Sequence, residues 1–286
     1  MGFDAQFLGV AAAMPRVDEA DAATSGELDY LHFTVVLDCA RRLARVTGVN
    51  VDGAQLVEIE RGDRWQLDER IPADWQAGPE IYAANDLDRG HLVRRRDPVW
   101  GSPEVATRAN ADTFRYPNAA PQASDFNQSK ELWLGLEDHV LEHARAHRMR
   151  LSVFTAPVLA AGDPPYRGIR VPLRFWKIAA WSTGAERTGP ENTGAQSTGV
   201  QSTGAQLASV GFVVDQAPLV DTAEAREPEP GEAPPLGPFR TFQVPIADIA
   251  ALTGLVMPDL VVADRMPSAI AEVGWRRIEQ PGDILL

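Results

Sequence analysis

Residues Ser182 to Gln206 divide into five pentads, STGAE, RTGPE, NTGAQ, STGVQ and STGAQ. So little apolar bulk cannot bury a core, so the chain must leave the interior at one end of the repeat and return at the other. Both flanks read as strands: Arg170 to Trp181 before it, and Leu207 to Val214 after it. Lengthening a loop costs little while its ends stay together. The repeat is therefore expected to be an expanded hairpin loop between two strands that pair, in preference to a functional arm.

The same reasoning places the other elements. Propensity alone would run a helix across Cys39 to Arg45. The β-branched residues Thr34, Val35 and Val36 on one side and Val46 and Thr47 on the other predict two strands around a turn near Asp38 to Arg42. Further strands are expected from Leu151 and over Phe239 to Pro245, and a short helix over Ile246 to Thr253. A helix starting near Asp125 to Gln128 would carry Leu132, Leu136, Val140 and Ala144 at helical spacing. Asp221 to Pro238 is acidic and proline-rich and reads as a second loop. Residues 1 to 30 read as a surface lead-in, and the tail from Val261 carries no distinctive chemistry.

A hydrophobic fraction of 44% over 286 residues is ordinary for a globular protein. No apolar run approaches the roughly 18 residues of a membrane span. The N-terminus has no basic region of the secretory type and no myristoylation signal, so cytoplasmic synthesis is the default expectation. The single cysteine, Cys39, excludes an intramolecular disulfide and a thiolate metal cluster. A net charge of -13 argues against a protein that coats nucleic acid, but not against one that touches a few phosphates. Arg94, Arg95 and Arg96 form a basic run able to supply that local charge; a solvated basic turn is the equal alternative.

The chemistry concentrates between Asn85 and Asp138. Asp88-Arg89-Gly90-His91 comes first, then Asn118-Ala119-Ala120-Pro121-Gln122, then Phe126-Asn127-Gln128, then Trp133, Leu136 and Glu137. A histidine can activate water, an asparagine oxygen can hold a hard cation, and an arginine can neutralise charge growing on phosphorus. Together these are the parts of metal-assisted phosphodiester cleavage. A lone histidine would more simply be structural; it is the ordered set that points to a site. His139, His143 and His147 stand at zinc-pair spacing, but nothing completes a ligand set, so a wet helix face is expected.

The span from His32 to about Gly254 resembles the DNA/RNA non-specific endonucleases, the ββα-metal family that includes endonuclease G. Asp88-Arg89-Gly90-His91 matches the family tetrad, Asn118 to Gln122 its Asn-x-x-Pro-Gln, and Trp133-x-x-Leu136-Glu137 its Trp-x-x-Leu-Glu. Asn127 follows Asn118 by nine residues, as in the family. Phe154 to Pro157, Phe175 to Lys177 and Val244 to Ile249 are weaker echoes. The resemblance implies an α+β fold, a central mostly antiparallel sheet flanked by helices, forming one nuclease domain over residues 1–286.

By the same resemblance His91 is the general base, Asn127 the direct ligand of Mg²⁺ (or Mn²⁺ in its place), and Glu137 the carboxylate that orients a metal-bound water. Arg89 and the upstream Arg64 stabilise charge on phosphate. Asn118 positions the site loop and, with Arg94 and Arg95, belongs to the substrate side. Glu137 lies ten residues after Asn127 where the family has eight, a difference of about 200° on a straight helix. Glu131 is therefore a rival, although Trp133 and Leu136 move with Glu137. Ala156 stands where the family has glycine.

The implied activity is Mg²⁺-dependent cleavage of DNA and RNA to 5′-phosphate products. The implied partners are DNA and RNA, an inhibitor or activating protein, and a second copy in a homodimer; no membrane is implied. Two other readings compete: a nuclease fold retained only as a binding module, and a regulated toxin-like or anti-phage effector.

Overall fold

A computed structural model describes residues 2–17, 25–60, 62, 64–123, 141–142, 144–184, 204–217, 240–266, 274–279 and 281–284. Eight strands form one antiparallel sheet: β1 (Ser25–Tyr30), β2 (Phe33–Asp38), β3 (Leu43–Asp52), β6 (Arg150–Pro157), β9 (Arg174–Thr183), β10 (Gln206–Asp215), β11 (Arg240–Val244) and β12 (Arg276–Ile278), side by side in that order. Among the described residues two small hairpins stand apart from it, β4 (Leu87–His91) with β5 (Ala119–Ala123) and β7 (Pro165–Tyr166) with β8 (Ile169–Arg170). The short helices are α1 (Pro79–Tyr82), α2 (Pro103–Asp112), α3 (Ile246–Thr253) and α4 (Pro258–Val262). The architecture is α+β, as the sequence predicts.

The sheet is covered on both faces, which explains why its strands read as nearly continuous apolar runs. In β9, Phe175 points into a core with Phe33, Val35, Val49, Val153 and Ala120. Its neighbour Trp176 points the other way, onto Val46, Phe154, Val213, Ile246 and Ile249. The β4–β5 hairpin contributes Leu87 and Ala120 to the first core, while α3 and α4 cover the second.

The expected pairing across the repeat holds. β9 and β10 run antiparallel from Arg174↔Asp215 to Thr183↔Gln206, at the edges of the repeat. Its interior, 185–203, lies outside the described residues, as does the acidic loop within 218–239. The hairpin over Thr34 to Val46 also forms, and its turn explains why the helix loses. Asp38 Oδ1 accepts from Arg41 N at 2.9 Å, and Arg42 takes a left-handed φ of 61° while its guanidinium donates to Gln76 O.

Three expectations are corrected. The lead-in is not merely superficial: Ser25–Tyr30 is a strand, Leu8 and Ala12 are buried, and Arg16 exchanges backbone bonds with Val256 at 3.0 and 2.8 Å. The run from Arg170 is not one strand: Arg170 ends β8 and β9 begins only at Arg174, beyond Pro172, which has no N–H to give a ladder. The tail, read as featureless, supplies the last two residues of α4 and then β12, which pairs with β11 at the far edge of the sheet. Sequence reading also passed over α2, although Ser102 is a cap before Pro103 and its Oγ accepts from Val105 N at 3.3 Å.

Candidate active site

Between β3 and β6 the chain leaves the main sheet and builds the β4–β5 hairpin. Its register pairs Asp88 with Gln122, Arg89 with Pro121, Gly90 with Ala120 and His91 with Ala119. Successive side chains alternate in direction along a strand, so Arg89 and His91 share one face of β4 and Gly90 turns to the other. On that other face a Cβ at Gly90 would run into the buried side-chain amide of Gln122. The glycine of the tetrad is thus set by the glutamine of the second motif. Pro121 is tolerated because this ribbon has only two strands.

The face shared by Arg89 and His91 is lined with rings. The Trp65 ring lies 4.6 Å from that of His91, and the Arg89 guanidinium carbon lies 5.9 Å from the Trp65 centroid. Phe114 meets His91 edge-on at 4.9 Å, and Trp65 also packs on Phe114 at 5.4 Å and Tyr116 at 5.8 Å. Tyr82, from α1, stacks on Tyr116 at 6.0 Å. Burial raises the Tyr82 hydroxyl far above the usual phenol range, the neighbouring Tyr116 adding to the shift and Arg89 opposing it. Trp65 is placed by a short ladder, Gln66 N to Phe114 O and Tyr116 N to Gln66 O, both 3.0 Å.

Asn118 is wholly buried. Its Oδ1 accepts from Val93 N at 2.8 Å, and its Nδ2 donates to Val93 O and Thr113 O, both at 3.0 Å. Its carbonyl accepts from Leu92 N at 3.0 Å. It ties down the chain leaving His91, and no part of its side chain is available to a substrate. Arg95 donates to Ile59 O at 3.0 Å and Asn110 Oδ1 at 3.1 Å, and Arg96 pairs with Glu58 at 3.0 Å. The basic run leads into a turn over 95–98, and all three of its arginines are partly buried. Arg64 is exposed next to Trp65. Asn127, Glu131, Glu137 and Trp133 lie outside the described residues, as do Arg61, His139 and His143.

A cleft of about 550 Å³ opens on the Gln66 and Arg115 side of the ladder, lined also by Tyr30, Asp68, Arg70 and Arg108. Asp68 accepts from Tyr30 at 2.7 Å and from Arg70 Nε and Nη2 at 2.9 and 2.7 Å. Burial pushes the Asp68 carboxyl up, but these donors outweigh it and bring it down to about 2. Nearby Asp112 goes the other way, raised by burial despite its bond from Leu31 N.

Among the described residues no group of three or more His, Cys, Asp or Glu is placed to hold a metal, and no helix is long and apolar enough to cross a membrane. The amide oxygen of Asn127 and the carboxylate of Glu137 are hard donors, which suits a cation that keeps most of its waters.

Trp65, Phe114 and Tyr116 are the site residues that sequence reading missed. The only available signal was a tryptophan stranded in the polar stretch Arg61 to Pro72.

The fold, a large antiparallel sheet with few helices, is similar to that of the ββα-metal nucleases. The profile of the DNA/RNA non-specific endonucleases matches residues 18–264, and the chain belongs to that family. A crystal structure of the EndoG/EndoGI complex is similar, with a TM-score of 0.56 and 18% identity over 82% of this chain and 85% of that one. An uncharacterized protein of Sinorhizobium fredii, y4fB, is 36% identical over 92% of this chain. This chain spans only 39% of the length of that relative.

Proposed function

We propose that the chain is a metal-dependent endonuclease that hydrolyses phosphodiester bonds in both DNA and RNA and leaves 5′-phosphate ends. The observation that carries this reading is the placement of Arg89 and His91 on one face of β4, in a chain of this family. His91 takes the proton of the attacking water. Arg89, with Arg64 from the neighbouring segment, faces the negative charge that grows on the phosphoryl oxygens. Asn118 keeps the chain after His91 in place. Mg²⁺, held by Asn127 with Glu137 orienting one of its waters, would supply Lewis-acid stabilisation of the leaving oxygen when bound. Contacts to phosphate rather than bases account for acting on both nucleic acids.

The partners of this reading are DNA and RNA, with a protein that inhibits or triggers the enzyme and a homodimer as its assembly. The test is incubation with plasmid and with RNA, in Mg²⁺ or in EDTA, beside His91→Ala. Cleavage of both substrates by the wild type in Mg²⁺ only, absent in His91→Ala, is expected. Equal survival of both substrates with the two proteins in Mg²⁺ would mean that the chain is a binding module.

A further inference from the structure

We infer that Trp65 is a positioning residue for the reaction, fixing His91 and Arg89 relative to one another. The inference rests on the nuclease reading above. Residues two apart on a strand share a face, but nothing in the strand fixes the rotamers of a long arginine and a histidine at its end. Trp65 supplies that restraint, with its ring 4.6 Å from the His91 ring and 5.9 Å from the Arg89 guanidinium carbon. A flat ring in contact with both side chains converts two independent rotamers into one arrangement.

The tryptophan is itself held. Phe114 and Tyr116 pack on it, and the backbone of Gln66 on its C-terminal side is bonded to the backbone of both residues. The array continues through Tyr116 to Tyr82 on α1. α1 is tied to the rest of the molecule by Arg167, which donates to Glu80 O at 2.8 Å and Ala83 O at 2.6 Å. His91 and Arg89 therefore lean on a braced wall rather than on a loop. Because Trp65 acts through its neighbours, its loss should lower the rate of the chemical step and leave substrate affinity largely intact.

The experiment uses the full chain carrying Trp65→Leu, Trp65→Phe and, as a remote control, Trp75→Leu at an exposed tryptophan. Single-turnover cleavage in Mg²⁺ gives the rate, and fluorescence anisotropy with a labelled duplex in EDTA gives Kd. Trp65→Leu is expected to cut about tenfold or more slowly with Kd within about threefold, and Trp65→Phe to recover most of the rate. The control should match wild type.

If Trp65→Leu does not accumulate folded, Trp65→Met, which keeps apolar volume without a ring, is read in its place. An unchanged rate overturns the inference, as does a parallel loss of rate and affinity that Trp65→Phe fails to restore. An inactive wild type would instead sink the nuclease reading. The geometry is then read by NMR from the His91 ring protons, which Trp65 should displace by its ring current and Trp65→Leu should release.

Discussion

Gly90 lies beneath the buried side-chain amide of Gln122, so closely that a Cβ would collide with it. Gly90→Ala should therefore destabilise the protein by about 1–3 kcal/mol, as overpacking does. Adding Gln122→Ala should return part of that loss, because the clash is with this one side chain. Urea unfolding of the two single variants and the double variant measures the coupling. Strictly additive effects would show that Gln122 does not occupy the space.

Asn118→Ala removes three hydrogen bonds from a site with no access to water. The stranded backbone groups of Val93 and Thr113 should cost on the order of 3 kcal/mol. Denaturant unfolding reads the loss; a change under about 0.5 kcal/mol would contradict the bonding pattern.

Asp68 gives the protein a specific acid sensitivity. Its carboxyl is held at about 2 by Arg70 and Tyr30, against an opposing push from burial, and so lies below its unfolded value near 4. A depressed carboxyl adds stability above its unfolded pKa and loses it as pH falls through its folded pKa, here between about pH 4 and 2. Arg70 is half exposed, so solvent weakens the pair. The difference in unfolding free energy between wild type and Asp68→Asn should shrink across that window. A difference that stays constant from pH 5 to 2 would remove Asp68 as the cause.

Deleting residues 185–203 leaves Gly184, Gly204 and Ala205 to join Thr183 to Gln206, which already pair. A three-residue loop suits such a hairpin, and long loops contribute little to stability. The deletion should leave unfolding free energy within about 1 kcal/mol. A larger drop, with loss of cleavage, would give the repeat a structural or substrate-binding part.

Hydrophobic patterning made the β2–β3 and β9–β10 hairpins and α3 readable, because each turns on local spacing and turn chemistry. It failed where distant partners decide. Ser25–Tyr30 carries too little apolar character to be read as a strand alone, and it becomes one by pairing with β2. The tetrad revealed Arg89 and His91 because their chemistry is in their side chains. Trp65, 26 residues upstream of His91, is brought to them by the ladder with Phe114 and Tyr116, a contact that sequence spacing does not encode. For Arg95 the sequence leaves a phosphate contact and a solvated turn equally open, because its bonds to Ile59 and Asn110 come from segments that spacing does not link to it.

The excursion that carries His91 begins after β3 and is closed only when β6 pairs back, Thr47 against Thr155 and Asp52 against Arg150. During synthesis from the N-terminus, the tetrad emerges well before the strand that seals its loop. Closing so long a loop is slow relative to local pairing. The sheet beneath the β4–β5 hairpin is therefore incomplete until β6 has emerged, and the arrangement around Arg89 and His91 is a late product of folding. On the nuclease reading proposed above, that order of events withholds cleavage until β6 has emerged and paired.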